Sequence, residues 1–115
     1  LTGTQFNFIS NLKSKQLQPF SSRDGMNIYR IIQESVNNAI KHSNASKIEV
    51  EIREFEKEIL IKIKDNGSGF NVLEIEKGNG LNSIQKRASE LNGKLEMISN
   101  KQGTIVSLDL KKQLL

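Results

Sequence analysis

The chain has no cysteine, which excludes disulfides and thiolate metal sites and suits a reducing compartment. It has no apolar run of membrane-spanning length, and its start, LTGTQFNFIS, lacks the basic-then-apolar order of a secretion signal. No Lys/Arg block of the kind expected for nucleic acid occurs. The formal charge of +4 is spread through interleaved Lys and Glu, so the plainest reading is a mildly basic surface, which would also suit phosphate-bearing ligands. There is no internal repeat, no low-complexity tract, one proline (Pro19) and one histidine (His42). A lone histidine cannot make a metal centre by itself. The chain does not begin with methionine and is read as a piece of something longer.

What remains is ordinary for a globular protein: 115 residues, 36% hydrophobic and 26% charged, enough for one domain with a two-layer core. Residues 4–12 alternate around Phe6 and Phe8 and predict a first strand. Residues 24–43 carry Ile28, Ile31, Ile32, Val36, Ala39 and Ile40 at helical spacing, with Ser21, Ser22 and Asp24 available as caps. Ile48, Val50 and Ile52, then Ile59, Ile61 and Ile63, alternate with charged residues and predict a hairpin. Residues 66–79 are glycine-punctuated and predict a loop. A second helix over 81–91 follows, with Gly93 as its stop, and strands at 94–99 and 104–110 close the chain across NKQG. One sheet with helices on a single face satisfies these patterns, an α+β two-layer sandwich.

Three features exceed the needs of packing. Asp65 falls in phase with Ile59, Ile61 and Ile63, so a strand would aim its carboxylate inward. Asp-Asn-Gly is common turn chemistry, yet a buried carboxylate needs a hydrogen-bond donor. An exocyclic amine of adenine would serve, and Gly67 and Gly69 would let a flat ring approach the backbone. Thr104 shares a face with Val106, Leu108 and Leu110 and is a second inward polar group at a strand end.

Glu34 and Asn38 lie one turn apart on the first helix, away from the centre of its apolar arc, with Asn38 and His42 nearer the margin. A solvated face explains such a pair. An amide oxygen also suits Mg²⁺, and a carboxylate beside it suits proton acceptance during phosphoryl transfer. Gly78 and Gly80 before a helix N-terminus offer bare amides to phosphate, or simply make a turn.

RIIQESVNNAIKHSNA, DNGSGF, GNGLNSIQKRASELNG and the late GT together resemble the catalytic, ATP-binding domain of bacterial sensor histidine kinases, over about residues 26–110. The nitrate-sensor type is the nearest subgroup, within the superfamily that includes gyrase, chaperone and mismatch-repair ATPases. The resemblance implies the Bergerat fold: a mixed, mostly antiparallel sheet of about five strands, helices on one face, and a short ATP lid at about residues 70–79. It implies ATP and Mg²⁺ as cofactors and assigns Glu34 to phosphoryl transfer and Asn38 to the metal. It places Lys41 and His42 at the phosphates, Asp65 at adenine with Gly67 and Gly69 beside it, Gly78 and Gly80 at the lid hinge, Leu81 among the nucleotide-binding residues, and Thr104 at adenine through water.

No phosphoacceptor-histidine motif or dimerising hairpin is present, and His42 inside the helix is a poor acceptor. Residues 1–115 are therefore expected to be an excised catalytic domain that does not autophosphorylate alone. Its expected partners are a phosphoacceptor helical domain of the same parent protein and a response regulator, with no nucleic acid and no direct membrane contact. The domain is expected in the cytoplasm, under a parent anchored in the inner membrane. An anti-sigma-factor serine kinase of the same superfamily and a non-catalytic α+β binding module are the alternatives.

Overall fold

Alternating apolar and charged residues become strands wherever one side can be covered, and five such segments pair here. The computed structural model describes residues 3–11, 21–41, 44–69 and 79–112. Along the chain these form β1 (Gln5–Ser10), α1 (Ser22–Lys41), β2 (Lys47–Glu54), β3 (Glu58–Asp65), α2 (Asn79–Glu90), β4 (Lys94–Asn100) and β5 (Gly103–Lys111). The sheet runs β1-β2-β3-β5-β4. β1 and β2 are parallel, as a crossover through α1 allows; the other pairs are antiparallel. The expected mixed sheet, element order and two-layer arrangement are all present.

Register sorts the side chains. Ile48 on β2, Ile59, Ile61 and Ile63 on β3, and Val106, Leu108 and Leu110 on β5 share the inner face, and all are buried. Ile31 and Ala39 from α1 and Leu81, Ile84 and Ala88 from α2 complete this core. Burying each large aliphatic side chain contributes about 1.5–3 kcal/mol, before the ordering entropy is subtracted. On edge strand β1, Phe6 and Phe8 remain 56% and 66% exposed, so their alternation marks a strand without marking core.

The helix ends follow local chemistry. Ser21 caps α1: its Oγ accepts the Asp24 N–H at 3.1 Å, and the acidic first turn suits the helix dipole. At the end of α2, Asn92 takes a left-handed φ of 54° while the Gly93 N–H reaches Ala88 O at 2.9 Å. The stop therefore uses Asn92 for the left-handed turn. Gly93 is needed for packing, because a Cβ there would lie 2.8 Å from the methyls of Leu108 and Leu110.

Direction fixes which ends meet. β4 starts opposite Asp109 and finishes opposite Gly103, next to the rung that holds Asp65. α2 precedes β4, so its C-terminus lies at the far end and its N-terminus, about 18 Å away at 1.5 Å per residue, lies over the Asp65 end. α1 runs the other way, because Asn27 near its start bonds to Arg87 and Glu90 near the end of α2. Its last turn thus also lies over the Asp65 end. At the far end Glu54 and Lys112 pair at 2.5 Å, both largely shielded.

Candidate functional site

One rung of the sheet carries the polar groups. Ile48, Asp65, Thr104 and Ser99 are successive partners across β2, β3, β5 and β4. Directly opposed residues point to the same face with Cβ atoms about 4.5–5.5 Å apart. Asp65 and Thr104 are therefore neighbours under the helices, and both are buried, at 6% and 3% exposure. The inward carboxylate and inward hydroxyl expected from phase are both present and adjacent.

The backbone itself donates to that carboxylate: the Gly67 N–H bonds Asp65 Oδ1 at 2.8 Å. This is the local turn chemistry of an Asp two residues before an amide. A carboxylate accepts at about four lone-pair positions.

The next residue acts as a clasp. Asn66 Oδ1 accepts the backbone N–H groups of Ser46 and Lys47 at 3.1 and 2.9 Å, while Nδ2 donates to Ser46 Oγ at 3.1 Å. The end of β3 is thereby bound to the turn between α1 and β2. Asn44 with φ 52° and the Ala45 N–H to Ala39 O bond fold that turn back onto the helix. The position of Asp65 relative to the last turn of α1 is thus set by bonds among residues 39 to 66.

Gly69 is required by the packing of the backbone. Its φ is 72°, and a Cβ there would lie 1.9 Å from the Asn100 carbonyl oxygen. The loop after β3 packs directly on the end of β4. Gly103 closes the same corner with φ 133° against the Asp65 carbonyl.

On α1, Asn27, Ile31, Ser35, Asn38 and Ala39 form the buried stripe. Asn38, 8% exposed, belongs to that stripe, which corrects its expected place at the margin. Glu34, one turn earlier, is half-buried, and Lys41 is exposed in the last turn. All three lie on successive turns of one helix flank. Buried Ser35 returns its hydroxyl to Ile31 O at 2.7 Å.

α2 begins at Asn79, so Gly80 is within its first turn rather than before it. Boundaries of this kind shift by a residue or two where the first N–H groups lack helical partners anyway. Leu81 is a core residue, 1% exposed. His42, Gly78 and most of the expected lid, residues 70–78, lie outside the described residues.

The end of the sandwich therefore gathers Asn38 and Lys41 from α1, Asp65 and its loop from β3, Thr104 from β5 and the N-terminus of α2. Aligned peptide dipoles make such a terminus favourable to anions. A hollow lined by Lys47, Glu49, Lys64, Asp65, Asn66 and Gln102 lies at this end of the sheet, where Lys47, Glu49 and Lys64 are out of phase with the Asp65 side chain and face solvent. Sequence reasoning missed Ser99, Asn66 and Gly103. Ser99 is in phase with Leu95 and Met97 and could have been found by the same test that found Thr104.

The model of the family described as histidine kinase-, DNA gyrase B-, and HSP90-like ATPase matches residues 23–114. Sensor protein VraS of Staphylococcus epidermidis is 37% identical over 87 residues, covering 73% of this chain and 25% of that protein. VraS of Staphylococcus aureus is 36% identical over the same length. The chain thus spans about a quarter of the length of these relatives. Among solved structures, the histidine kinase domain of the Erythrobacter litoralis blue-light activated histidine kinase superposes with TM-score 0.74 at 18% identity, over 96% of this chain and 52% of that one. The ATP binding domain of PrrB from Mycobacterium tuberculosis gives 0.66 at 22% identity, over 77% and 69%. These superpositions speak for the fold.

Proposed function

The chain belongs to the histidine kinase-, DNA gyrase B-, and HSP90-like ATPase family, and from that premise we propose that it binds Mg-ATP and passes the γ-phosphoryl group to a histidine elsewhere in its parent protein. The observation that carries this reading is the pairing of buried Asp65 and Thr104 beneath the helix ends that hold Asn38 and the α2 N-terminus.

Asp65 accepts the adenine amine, with Thr104 at its side; guanine, which presents a carbonyl there, sets acceptor against acceptor. A mismatch of that kind costs about 1–3 kcal/mol. Gly67 and Gly69 shape the base end. Lys41, His42, Gly78, Gly80 and the first amides of α2, next to Leu81, receive the phosphates.

The donor set fits magnesium. An amide oxygen is a hard neutral ligand, and Mg²⁺ is usually held by one or two protein oxygens plus phosphate and water. Asn38 supplies such an oxygen, and Glu34 lies one turn from it. When bound, the ion neutralises phosphate charge.

For transfer, one imidazole nitrogen of the acceptor attacks the γ-phosphorus while the N–H on its other nitrogen faces Glu34. The bond to the β–γ bridging oxygen breaks, ADP leaves with that electron pair, and the Glu34 carboxylate takes the ring proton. General base assistance of this kind contributes about 10²–10⁴-fold. The rest of the acceleration comes from alignment and charge neutralisation.

The acceptor belongs to a helical domain of the parent protein, and a response regulator receives the group next. The short interval between β3 and α2 supports placement in the nitrate-sensor type. The domain works on the cytoplasmic side of a membrane-anchored parent. Titration with a non-hydrolysable ATP analogue and Mg²⁺, read as thermal stabilisation, tests the core of the proposal. At 100 times the dissociation constant the gain is about 2.7 kcal/mol; no stabilisation overturns it.

A further inference from the structure

On the inner face of β4, the apolar residues Leu95 and Met97 give way to Ser99 at the Asp65 end. Ser99 Oγ lies 2.7 Å from Thr104 Oγ1, within range of a strong hydroxyl pair in which either oxygen can donate. Thr104 is buried and Ser99 half-buried, so bulk water competes poorly for this bond. The surrounding backbone is held fast. The Gln102 N–H bonds Asn100 Oδ1 at 2.8 Å, Asn100 abuts Gly69, and Gly103 abuts Asp65.

A threonine hydroxyl has one proton and two lone pairs, and its direction is set by whichever partner holds it. Asp65 stands on the other side of Thr104 from Ser99 in the same rung. We propose that Ser99 is a positioning residue for the base end of the nucleotide site: it orients the Thr104 hydroxyl so that its remaining hydrogen-bonding capacity serves the purine beside Asp65. This rests on the adenine assignment made above.

The test is calorimetric titration of the chain with ATP and with ADP in the presence of Mg²⁺. The variants are Ser99→Ala, Ser99→Thr, Thr104→Val, the Ser99→Ala/Thr104→Val pair and Asp65→Asn. One well-formed hydrogen bond is worth about fivefold in affinity. Ser99→Ala is expected to weaken ATP and ADP alike by about that factor, because the base end is common to both. Ser99→Thr, which keeps the hydroxyl, restores affinity. In the Thr104→Val background Ser99→Ala adds no further loss, the mark of two groups acting as one.

Unchanged affinity in Ser99→Ala, a loss confined to ATP, or an undiminished extra loss in the Thr104→Val background overturns the inference. If Ser99→Ala does not fold, Ser99→Cys, which preserves shape but donates weakly, reads the same coupling. A parent chain that binds neither nucleotide, or an Asp65→Asn variant that binds both normally, overturns the adenine assignment and this inference with it. Loss at Asp65 without loss at Ser99 overturns the inference alone.

Discussion

Gly103 sits so tightly against Asp65 that a Cβ on it would lie 2.0 Å from the Asp65 carbonyl oxygen. The start of β5 and the end of β3 thus touch backbone to backbone, and the site carboxylate is fixed at its own peptide group. Gly103→Ala must both move that contact and take an L side chain to φ 133°. The expected cost is about 2–3 kcal/mol, seen as a fall of roughly 10 °C in thermal midpoint. A thermal midpoint equal to that of the parent would show that the corner yields easily.

Asp65→Asn keeps shape and the Gly67 turn but exchanges an acceptor for an amide with donors. Nucleotide affinity measured by calorimetry should fall at least about tenfold, a loss of about 1.4 kcal/mol. The thermal midpoint of the nucleotide-free chain should hold, because the Asn oxygen still accepts the Gly67 N–H while the buried charge is removed. Equal ATP affinity would remove Asp65 from the base site.

Glu34 and Asn38 are separable by experiment although they share a helix flank. Glu34→Gln should bind Mg-ATP as the parent does, while phosphoryl transfer to an added phosphoacceptor domain drops about 10²–10⁴-fold. Asn38→Ala should lose the difference between affinity with Mg²⁺ and affinity with a chelator. Undiminished transfer in the first variant, or an intact metal effect in the second, contradicts the assignment concerned.

The Asn27 amide is buried between the helices, where its oxygen takes Arg87 Nη1 at 3.0 Å and its nitrogen donates to Glu90 Oε2 at 3.2 Å. Arg87→Ala leaves that oxygen without this partner in a part-buried setting. Such a change costs about 1–3 kcal/mol, measurable by urea denaturation. Unlike Asp65→Asn, it should leave saturated nucleotide binding intact, since the network lies at the opposite end of the helices.

Periodicity carried the fold because the strands obey it strictly: every inward residue of β3 and β5 was legible from its phase, Asp65 and Thr104 included. It failed where pairing between distant segments decides. Phe6 and Phe8 alternate like core residues yet lie on an edge strand, and nothing local distinguishes an edge from a centre. The close approach of Gly69 to Asn100, thirty-one positions away, is likewise a matter of distant pairing that no local pattern announces. Asn27 and Arg87 carried no signal because their meeting depends on how two helices cross. Asn38 was placed at the margin because an apolar arc drawn from sequence leaves out amides, whereas burial counts them.

The polar network between α1 and α2 has a mechanical meaning. Asn27, Arg87 and Glu90 rivet the helices at the end remote from Asp65, where directional bonds resist sliding. Closer to Asp65 the two helices contribute Ile31, Leu81 and Ile84 to the shared apolar core. The two ends of the helix pair are therefore held by different forces: directional polar bonds at one, apolar burial at the other.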